Sequence, residues 1–428
     1  MYIEKVFKEK EIGKEYEIKG WVYRIRKMKD KVFLVTRDSY GIIQTVFNSN
    51  STSFNDANKL KTESSVIIKG KLKEEPKAPG GFELEATSLK IVHMGDDFPI
   101  QRDFSKEFLA DVRHLWLRSR KLTTALKIRS TTLSAIHEYF HKKEFYEFQS
   151  PILQSTQTEG GSELFEVKYF DKKMFLTQTW QLPAEAGIFA LEKIYTVAPT
   201  FRAEKSLTSR HLTEFWMVEA EMAWYNFDDM IKTAEGLVKH IVKRVLEEHK
   251  EDLENVLKRD TSKLAPTLKK EFPRITYDKA LELLETKCDY KVEWGKDLRT
   301  IEEEKLVSLY DRPVVVTHYP KAIKAFYMKE APENPDVVLG ADFLAPEGCG
   351  EIIGGSEREE KIESIIARLK KQGENPKNYE FYLDTRRFGS VPHSGFGLGL
   401  ERVIRWVCGF ETIKDAIAFP RTPNRIHP

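Results

Sequence analysis

The chain has 428 residues, more than one ordinary domain, so two or more folded units are expected, and its 41% hydrophobic and 11% aromatic residues are enough to build cores. With 32% charged residues but a formal charge of only +2, it is not a uniformly basic nucleic-acid binder, and any such contact must come from a local patch. Three widely separated cysteines, Cys288, Cys349 and Cys408, argue against a disulfide framework or zinc site, and no apolar signal segment or 18-residue apolar run is present, so a cytoplasmic protein without a membrane span is expected.

From Tyr16 to about His93 the segments YEIKGWVYRIR, KVFLVTRD, GIIQTVF and SVIIKGKLK alternate apolar and polar residues with period two. Gly20, Gly41, Gly70 and the turn Ala78-Pro79-Gly80-Gly81 punctuate them, which predicts a small closed or partly closed barrel. The polar and aromatic stretch DDFPIQRDFSKEFLADVRHLWLRSRK reads as a hinge. Beyond it the period becomes helical at Leu122, Leu126, Ile136 and Phe140. Asn226 is the expected N-cap of a long amphipathic helix striped by Met230, Ile231, Ala234, Leu237, Val238, Ile241, Val242 and Val245. A further helix carries Ile362, Ile365, Ile366 and Leu369 and is expected to end at Gly373. Strand-like runs KMFLTQTW, EFWMVEAEMAW and RPVVVTHY lie between the helices, so the second region is α+β with much antiparallel sheet.

Four stretches carry chemistry. In TFRAEKSLTSRHLTEFWMVEAE, Arg202 and Arg210 offer cations for phosphate, Glu204 an acceptor for an exocyclic amine, and Phe215 a plate for a base, with His211 between them. The same residues in isolation also describe a solvated hairpin with surface ion pairs. GFGLGLERVIRWVCGF combines glycines that permit close backbone approach with a helix bearing Arg402; alone, it reads equally as a tight strand-to-helix turn. In GADFLAPEGCGEIIGGSERE, Asp342 and Glu351 frame a glycine-rich segment as hard oxygen donors suited to Mg²⁺, and Arg358 is a candidate bidentate clamp for a carboxylate; a loop with exposed acids is the other reading. In QTEGGSELFEVKYFDKKMFLTQTWQLPAEA, Glu159 sits on a loop placed to cover a ligand, and Gln181 and Glu185 are one turn apart at a strand-to-helix junction, where either also fits a plain polar helix face.

Together, and in this order, these stretches resemble the class II aminoacyl-tRNA synthetases of the aspartate–asparagine–lysine subgroup over essentially the whole chain. FRAE with RHLTEF is similar to the second signature motif, GFGLGLER to the third, and the FQSPIL segment with Pro151 to the first. The resemblance implies an OB-fold β-barrel over residues 1–98 that binds the anticodon, a hinge over 99–118, and a class II core of antiparallel sheet flanked by helices over 119–428, with a variable insertion at about 260–335. It implies that Arg202 holds the α-phosphate of ATP and the reacting carboxylate, Glu204 the adenine amine, and Arg210 and His211 the terminal phosphates, with adenine sandwiched by Phe215 and Arg402. Asp342 and Glu351 would bind Mg²⁺; a serine that ligates the metal in some relatives is Gly354 here. Glu159 and Glu219 would take the substrate ammonium, and Gln181 the region of its α-carboxylate. The partners implied are tRNA, ATP, an amino acid and a second copy of the chain as a homodimer.

Aspartate enzymes of this group carry a lysine where this chain has Ala184, and asparagine enzymes carry a glutamate where it has Glu185. A carboxylate at Glu185 suits the NH₂ of an amide, with Arg358 donating to its oxygen, so asparagine is expected as the amino acid. TEGGSELF is closer to aspartate enzymes, which keeps an aspartate-charging enzyme as the alternative; a tRNA-independent asparagine synthetase and a non-enzymatic nucleic-acid binder are further ones. In the barrel, Arg24, Arg26, Lys27, Lys29 and Lys31 crowd one hairpin, and Phe33 and Gln44 have the spacing with which the family reads the central anticodon base. Phe33 as a core residue beside a basic turn is the other reading.

Overall fold

The computed structural model describes residues 1–100, 104–156, 158, 164–206 and 208–428. The chain divides into two compact units, Met1–Trp116 and Leu117–Pro428.

The first unit is a closed five-stranded barrel of β1 (Glu15–Lys27), β2 (Lys31–Arg37), β3 (Ile42–Asn48), β4 (Ser65–Glu74) and β5 (Phe82–His93), in the order β1-β2-β3-β5-β4. The period-two pattern places Ile18, Val22, Val32, Leu34, Ile43, Phe47, Val66 and Ile68 inside. Gly20 and Gly70 permit close crossing of neighbouring strands; a Cβ at Gly20 would lie 2.2 Å from the Arg37 carbonyl oxygen.

The second unit is built on an eight-stranded sheet. Its strands are β6 (Tyr146–Glu147), β7 (Lys193–Phe201), β8 (Glu214–Ala223), β9 (Arg274–Thr276), β10 (Val314–Thr317), β11 (Gly340–Ala345), β12 (Gly350–Glu357) and β13 (His393–Gly399). Their order is β9-β10-β11-β12-β13-β8-β7-β6. The inner pairs are antiparallel, as expected, while the edge pairs β9–β10 and β6–β7 are parallel. The helices that pack around the sheet and its site include α1 (Arg120–Lys142), α2 (Gln181–Leu191), α3 (Phe227–Asn255), α4 (Thr300–Val307), α5 (Ile362–Lys371), α6 (Glu380–Arg387) and α7 (Leu400–Cys408).

The core joins α1, α3 and α7 to the sheet through Ile128, Ile136, Phe140, Leu237, Ile241, Val218, Ala220, Phe396, Leu398 and Val403. Asn226 caps α3 as the sequence predicts: its side chain accepts from the Asp229 amide at 3.0 Å, and Asp229 accepts from the Asn226 amide at 3.3 Å. Gly373 follows the end of α5 with φ of +82°, the left-handed position expected of it. Residues 260–335, read above as a variable insertion, contribute β9 and β10 to the sheet itself, β10 within the strand-like run RPVVVTHY. Their own cluster of Tyr277, Ala280, Leu284, Leu306, Val307, Val314 and Val316 packs there.

Candidate active site

The GFGLGLER segment forms a strand leading into a helix, β13 into α7. Its glycines alternate, and the register sets Gly395, Gly397 and Gly399 opposite Glu221, Glu219 and Met217 of β8. A Cβ on Gly395 would lie 2.2 Å from the Glu221 carboxyl, and one on Gly397 would lie 2.8 Å from Met217. The missing side chains leave the face of the sheet open, and a cleft of about 560 Å³ lies over it, adjoined by a recess of about 80 Å³.

The recess is lined by Arg202, Glu204, Arg210, His211, Phe215, Glu351 and Arg402, so the structure brings together the six residues that the resemblance places on ATP and Glu351, which it places on the metal beside it. Arg202 lines both cavities and stands at their common wall. Its guanidinium lies 5.6 Å from the Phe215 ring centroid, and its Nε is buried without a hydrogen-bond partner among the described residues. An unsatisfied buried cationic donor is costly unless a ligand accepts from it. Arg402 donates to the Glu351 carbonyl oxygen at 2.9 Å and to its carboxylate at 3.2 Å. His211 Nδ1 lies 3.1 Å from Ser206 Oγ, and burial, helped by nearby Arg402, depresses its pKa. Arg210 differs from the expectation of a hand free for phosphate: it is tied to Glu303 and Glu304 of α4 at 2.9 Å each and to the Gly348 carbonyl at 2.6 Å.

Asp342 on β11 and Glu351 on β12 face each other across Gly354. A Cβ at Gly354 would lie 3.2 Å from Glu351 Oε1 and 3.7 Å from Asp342 Oδ1, so the glycine leaves a gap between two hard oxygen donors. Burial raises Asp342 to about 6 against the pull of Lys324, and raises Glu303 to about 7 with Glu351 adding repulsion. That excess negative charge, with carboxylate donors on both sides of the gap, fits Mg²⁺, which takes one or two carboxylates and completes its shell with phosphate and water. Among the described residues no group of three or more His, Cys, Asp or Glu gathers into a fuller cage.

Gln181, Glu219 and Arg358 line the large cleft. Glu219 accepts from the Trp180 amide at 3.1 Å and from the Thr179 hydroxyl. Glu159 lies outside the described residues.

Glu185 corrects the sequence reading. It is not on the cleft wall but fully buried behind it. Its Oε1 accepts from Gln181 Nε2 at 2.8 Å, and its Oε2 from Tyr382 Oη at 2.8 Å and Arg386 at 2.5 Å, with His393 Nε2 at 3.1 Å. Both oxygens accept hydrogen bonds from protein side chains. Burial opposes its charge, but Arg386, His393 and Arg358 outweigh it and hold the carboxyl well below its ordinary value. Arg358 Nε lies 3.7 Å from Glu185 Oε1, and the same guanidinium clasps Glu221 through Nε and a second nitrogen.

Glu221 was missed by the sequence reading, although period two from Glu219 puts it on the same face. Lys324, Asp297 and Glu303 were missed too. Lys324 and Asp297 line the cleft, while Glu303 is paired to Arg210. No short motif surrounds these three.

On the barrel, Arg24, Arg26 and Lys27 are exposed at the end of β1. Arg26 is paired in register with Phe33 and lies 5.8 Å over its ring. Phe33 is opposite Val46 and Gln44 opposite Val35, so Phe33 and Gln44 share the outward face of β2 and β3, and Phe33 is not part of the core. Gln44 Nε2 donates to Glu83 at 2.7 Å.

Residues 105–423 match the family of class II tRNA synthetases for D, K and N, and residues 16–92 match the OB-fold nucleic acid binding domain. The asparagine–tRNA ligases of Thermococcus gammatolerans and Thermococcus kodakarensis are 49% and 48% identical over 97% of this chain and 96% of their own. The crystal structure of asparaginyl-tRNA synthetase from Pyrococcus horikoshii complexed with asparaginyl-adenylate superposes with a TM-score of 0.96 at 46% identity, covering 100% of this chain and 99% of that one.

Proposed function

Because the chain belongs to the class II tRNA synthetases of the aspartate, lysine and asparagine group, we infer that it activates asparagine with ATP and transfers it to tRNA. The observation that carries this reading is Arg202, standing between the recess lined by Glu204, Phe215 and Arg402 and a polar cleft, with its buried Nε without a hydrogen-bond partner among the described residues. Arg202 bridges the α-phosphate of ATP and the α-carboxylate of the amino acid. Phe215 and Arg402 hold the adenine ring, and Glu204 accepts from its amine. Glu219, with Glu159, takes the ammonium, and Gln181 lies beside the carboxylate. Asp342 and Glu351 would hold Mg²⁺, which would supply neutralisation of phosphate charge. The carboxylate oxygen attacks the α-phosphorus, pyrophosphate leaves, and a terminal ribose hydroxyl of tRNA then takes the aminoacyl group. No side chain acts as nucleophile; these residues position and neutralise.

Charge balance around Arg358 explains the choice of amino acid. Glu221 clasps the guanidinium and Glu185 stands 3.7 Å from it, and burial together with Glu185 and Glu219 already pushes the Glu221 carboxyl up to about 8, so a further carboxylate from aspartate adds to the repulsion, whereas a neutral amide accepts a hydrogen bond without it. Phe33, Gln44 and the cations Arg24, Arg26 and Lys27 form the anticodon surface of the barrel. The chain works as a homodimer: Tyr146 and Ile152, exposed at 60% and 43% around the FQSPIL segment, offer apolar surface for a second copy to cover. No helix among the described residues is long and apolar enough to cross a membrane, and the tRNA and ATP substrates put its work in the cytoplasm. ATP–pyrophosphate exchange tests the reading: exchange with asparagine and not aspartate is expected, and exchange driven by aspartate overturns the specificity.

A further inference from the structure

Arg210 comes from the loop between β7 and β8 but is held by segments far along the chain. Nη1 donates to Glu303 Oε2 at 2.9 Å, and Nη2 donates to Glu304 Oε1 at 2.9 Å and to the Gly348 carbonyl oxygen at 2.6 Å. Only 7% of its side chain is exposed, so both terminal nitrogens are occupied inside the protein. The turn between β11 and β12 is shaped to accept this ion pair. Gly348 and Gly350 take left-handed backbone, at φ of +70° and +75°. A Cβ at Gly350 would lie 2.3 Å from Glu303 Oε2 and 2.6 Å from Arg210 Nη1, so the pair closes only over a residue without a side chain.

Glu303 Oε2 serves a second donor. It accepts from the Glu351 amide at 3.4 Å, and the Glu351 carbonyl oxygen accepts from Arg402 Nη1 at 2.9 Å. One carboxylate oxygen therefore joins the β7–β8 loop, α4 and the start of β12, and through β12 it reaches Arg402. On the loop side, Thr208 Oγ1 accepts from the Arg210 amide at 3.2 Å and also meets His211 Nδ1. Fixing Arg210 thus fixes the hydroxyl against which the His211 ring is set. His211, Glu351 and Arg402 line the recess, whereas Glu303 lines neither the recess nor the cleft. Handing Arg210 to a phosphate would break three hydrogen bonds and leave Glu303 without its cation beside Glu351, a costly exchange in a largely buried place.

Resting on the ATP-using reading above, we propose that Glu303 is a positioning residue of the nucleotide site: it clamps Arg210, and Arg210 serves the recess as the anchor of His211 and not as a phosphate ligand. The clamp touches no reacting atom and moves no proton. It holds the loop, the Glu351 backbone and Arg402 at fixed separations before ATP arrives, so that binding does not have to order them. Helix α4 lies within residues 260–335, which gives that part of the chain a task at the nucleotide site.

The test uses the full chain in ATP–pyrophosphate exchange, with E303Q, R210M and the double variant E303Q/R210M beside wild type. E303Q is expected to raise the KM for ATP by about 10-fold, the scale of one charged hydrogen bond lost at a buried site, while the KM for asparagine changes little. R210M is expected to show the same rise, and the double variant to be no worse than either single one, because each change opens the same clamp. A KM for ATP that falls or holds in E303Q overturns the proposal, since a carboxylate competing with phosphate for Arg210 gives that result. Additive losses in the double variant also overturn it, by making Arg210 a phosphate ligand in its own right, as does an equal rise in the KM for asparagine, which marks a general loss of packing. R210K carries the test should E303Q not fold: it keeps a cation but cannot fork between Glu303 and Glu304, so its KM for ATP is expected to rise as in R210M, and a wild-type value overturns the proposal. Wild-type protein that exchanges with no amino acid counts against the ATP-using reading itself, a separate result from variants compared with an active wild type.

Discussion

Replacing Glu185 with Gln separates direct recognition of the substrate amide from control of charge around Arg358. Glu185 Oε1 is 3.7 Å from Arg358 Nε. A substrate side chain bonded to the far side of that guanidinium adds about 3 Å. At the resulting separation of about 7 Å, and an effective dielectric of about 20, the repulsion between Glu185 and a substrate carboxylate is about 2 kcal/mol. Removing it is therefore expected to shift the ratio of kcat/KM for asparagine over aspartate by about 30-fold toward aspartate. The assay is exchange with each amino acid on E185Q and wild type side by side. Direct recognition predicts a different pattern, a loss for asparagine with no gain for aspartate. A folded E185Q whose ratio equals that of wild type refutes the charge-balance reasoning. The variant also leaves Arg386 without its anion in a site where both side chains are fully buried, so calorimetry should show a lower melting temperature.

Three further outcomes follow from the geometry. Gly395→Ala drives a Cβ into the Glu221 carboxyl at 2.2 Å, so it should cost about 1–3 kcal/mol or more in thermal unfolding and raise the KM for asparagine; an unchanged KM would show that the Glu221–Arg358 pair is not near the substrate. Asp342 is raised to about 6 and Glu303 to about 7, so between the ordinary carboxylate range and pH 7 the folded chain binds more protons than the unfolded one. Stability without divalent ions should then fall as pH rises across that window, Mg²⁺ should restore it, and Asp342→Asn should flatten the slope, all followed by melting temperature. Phe33→Ala with Gln44→Ala should weaken aminoacylation of tRNA by about 1–3 kcal/mol per lost base stack while leaving ATP–pyrophosphate exchange intact; a fall in exchange would contradict the assignment of that face to the anticodon.

Periodicity by itself was enough to find the barrel, α1, α3 and α5, because each buries one face over several repeats and its pattern needs no distant partner to be seen. The residues around the ATP recess were also legible, since they fall in compact motifs: Arg202, Glu204, Arg210 and His211 between β7 and β8, Phe215 on β8, Glu351 on β12 and Arg402 on α7. Strand β9 escaped notice, because three residues are too few to show a period and only pairing in the sheet makes them a strand, whereas β10 lies within the strand-like run RPVVVTHY. Glu185 follows Gln181 by one helical turn, so the sequence places both on one face of α2. Tertiary packing decides otherwise, because α6 brings Tyr382 and Arg386 over that turn and converts a would-be substrate contact into a buried anion. Lys324 is a lone lysine in the sequence and a cleft residue in the fold. Its place depends on Arg368, 44 residues away, gripping backbone carbonyls that no side-chain pattern records.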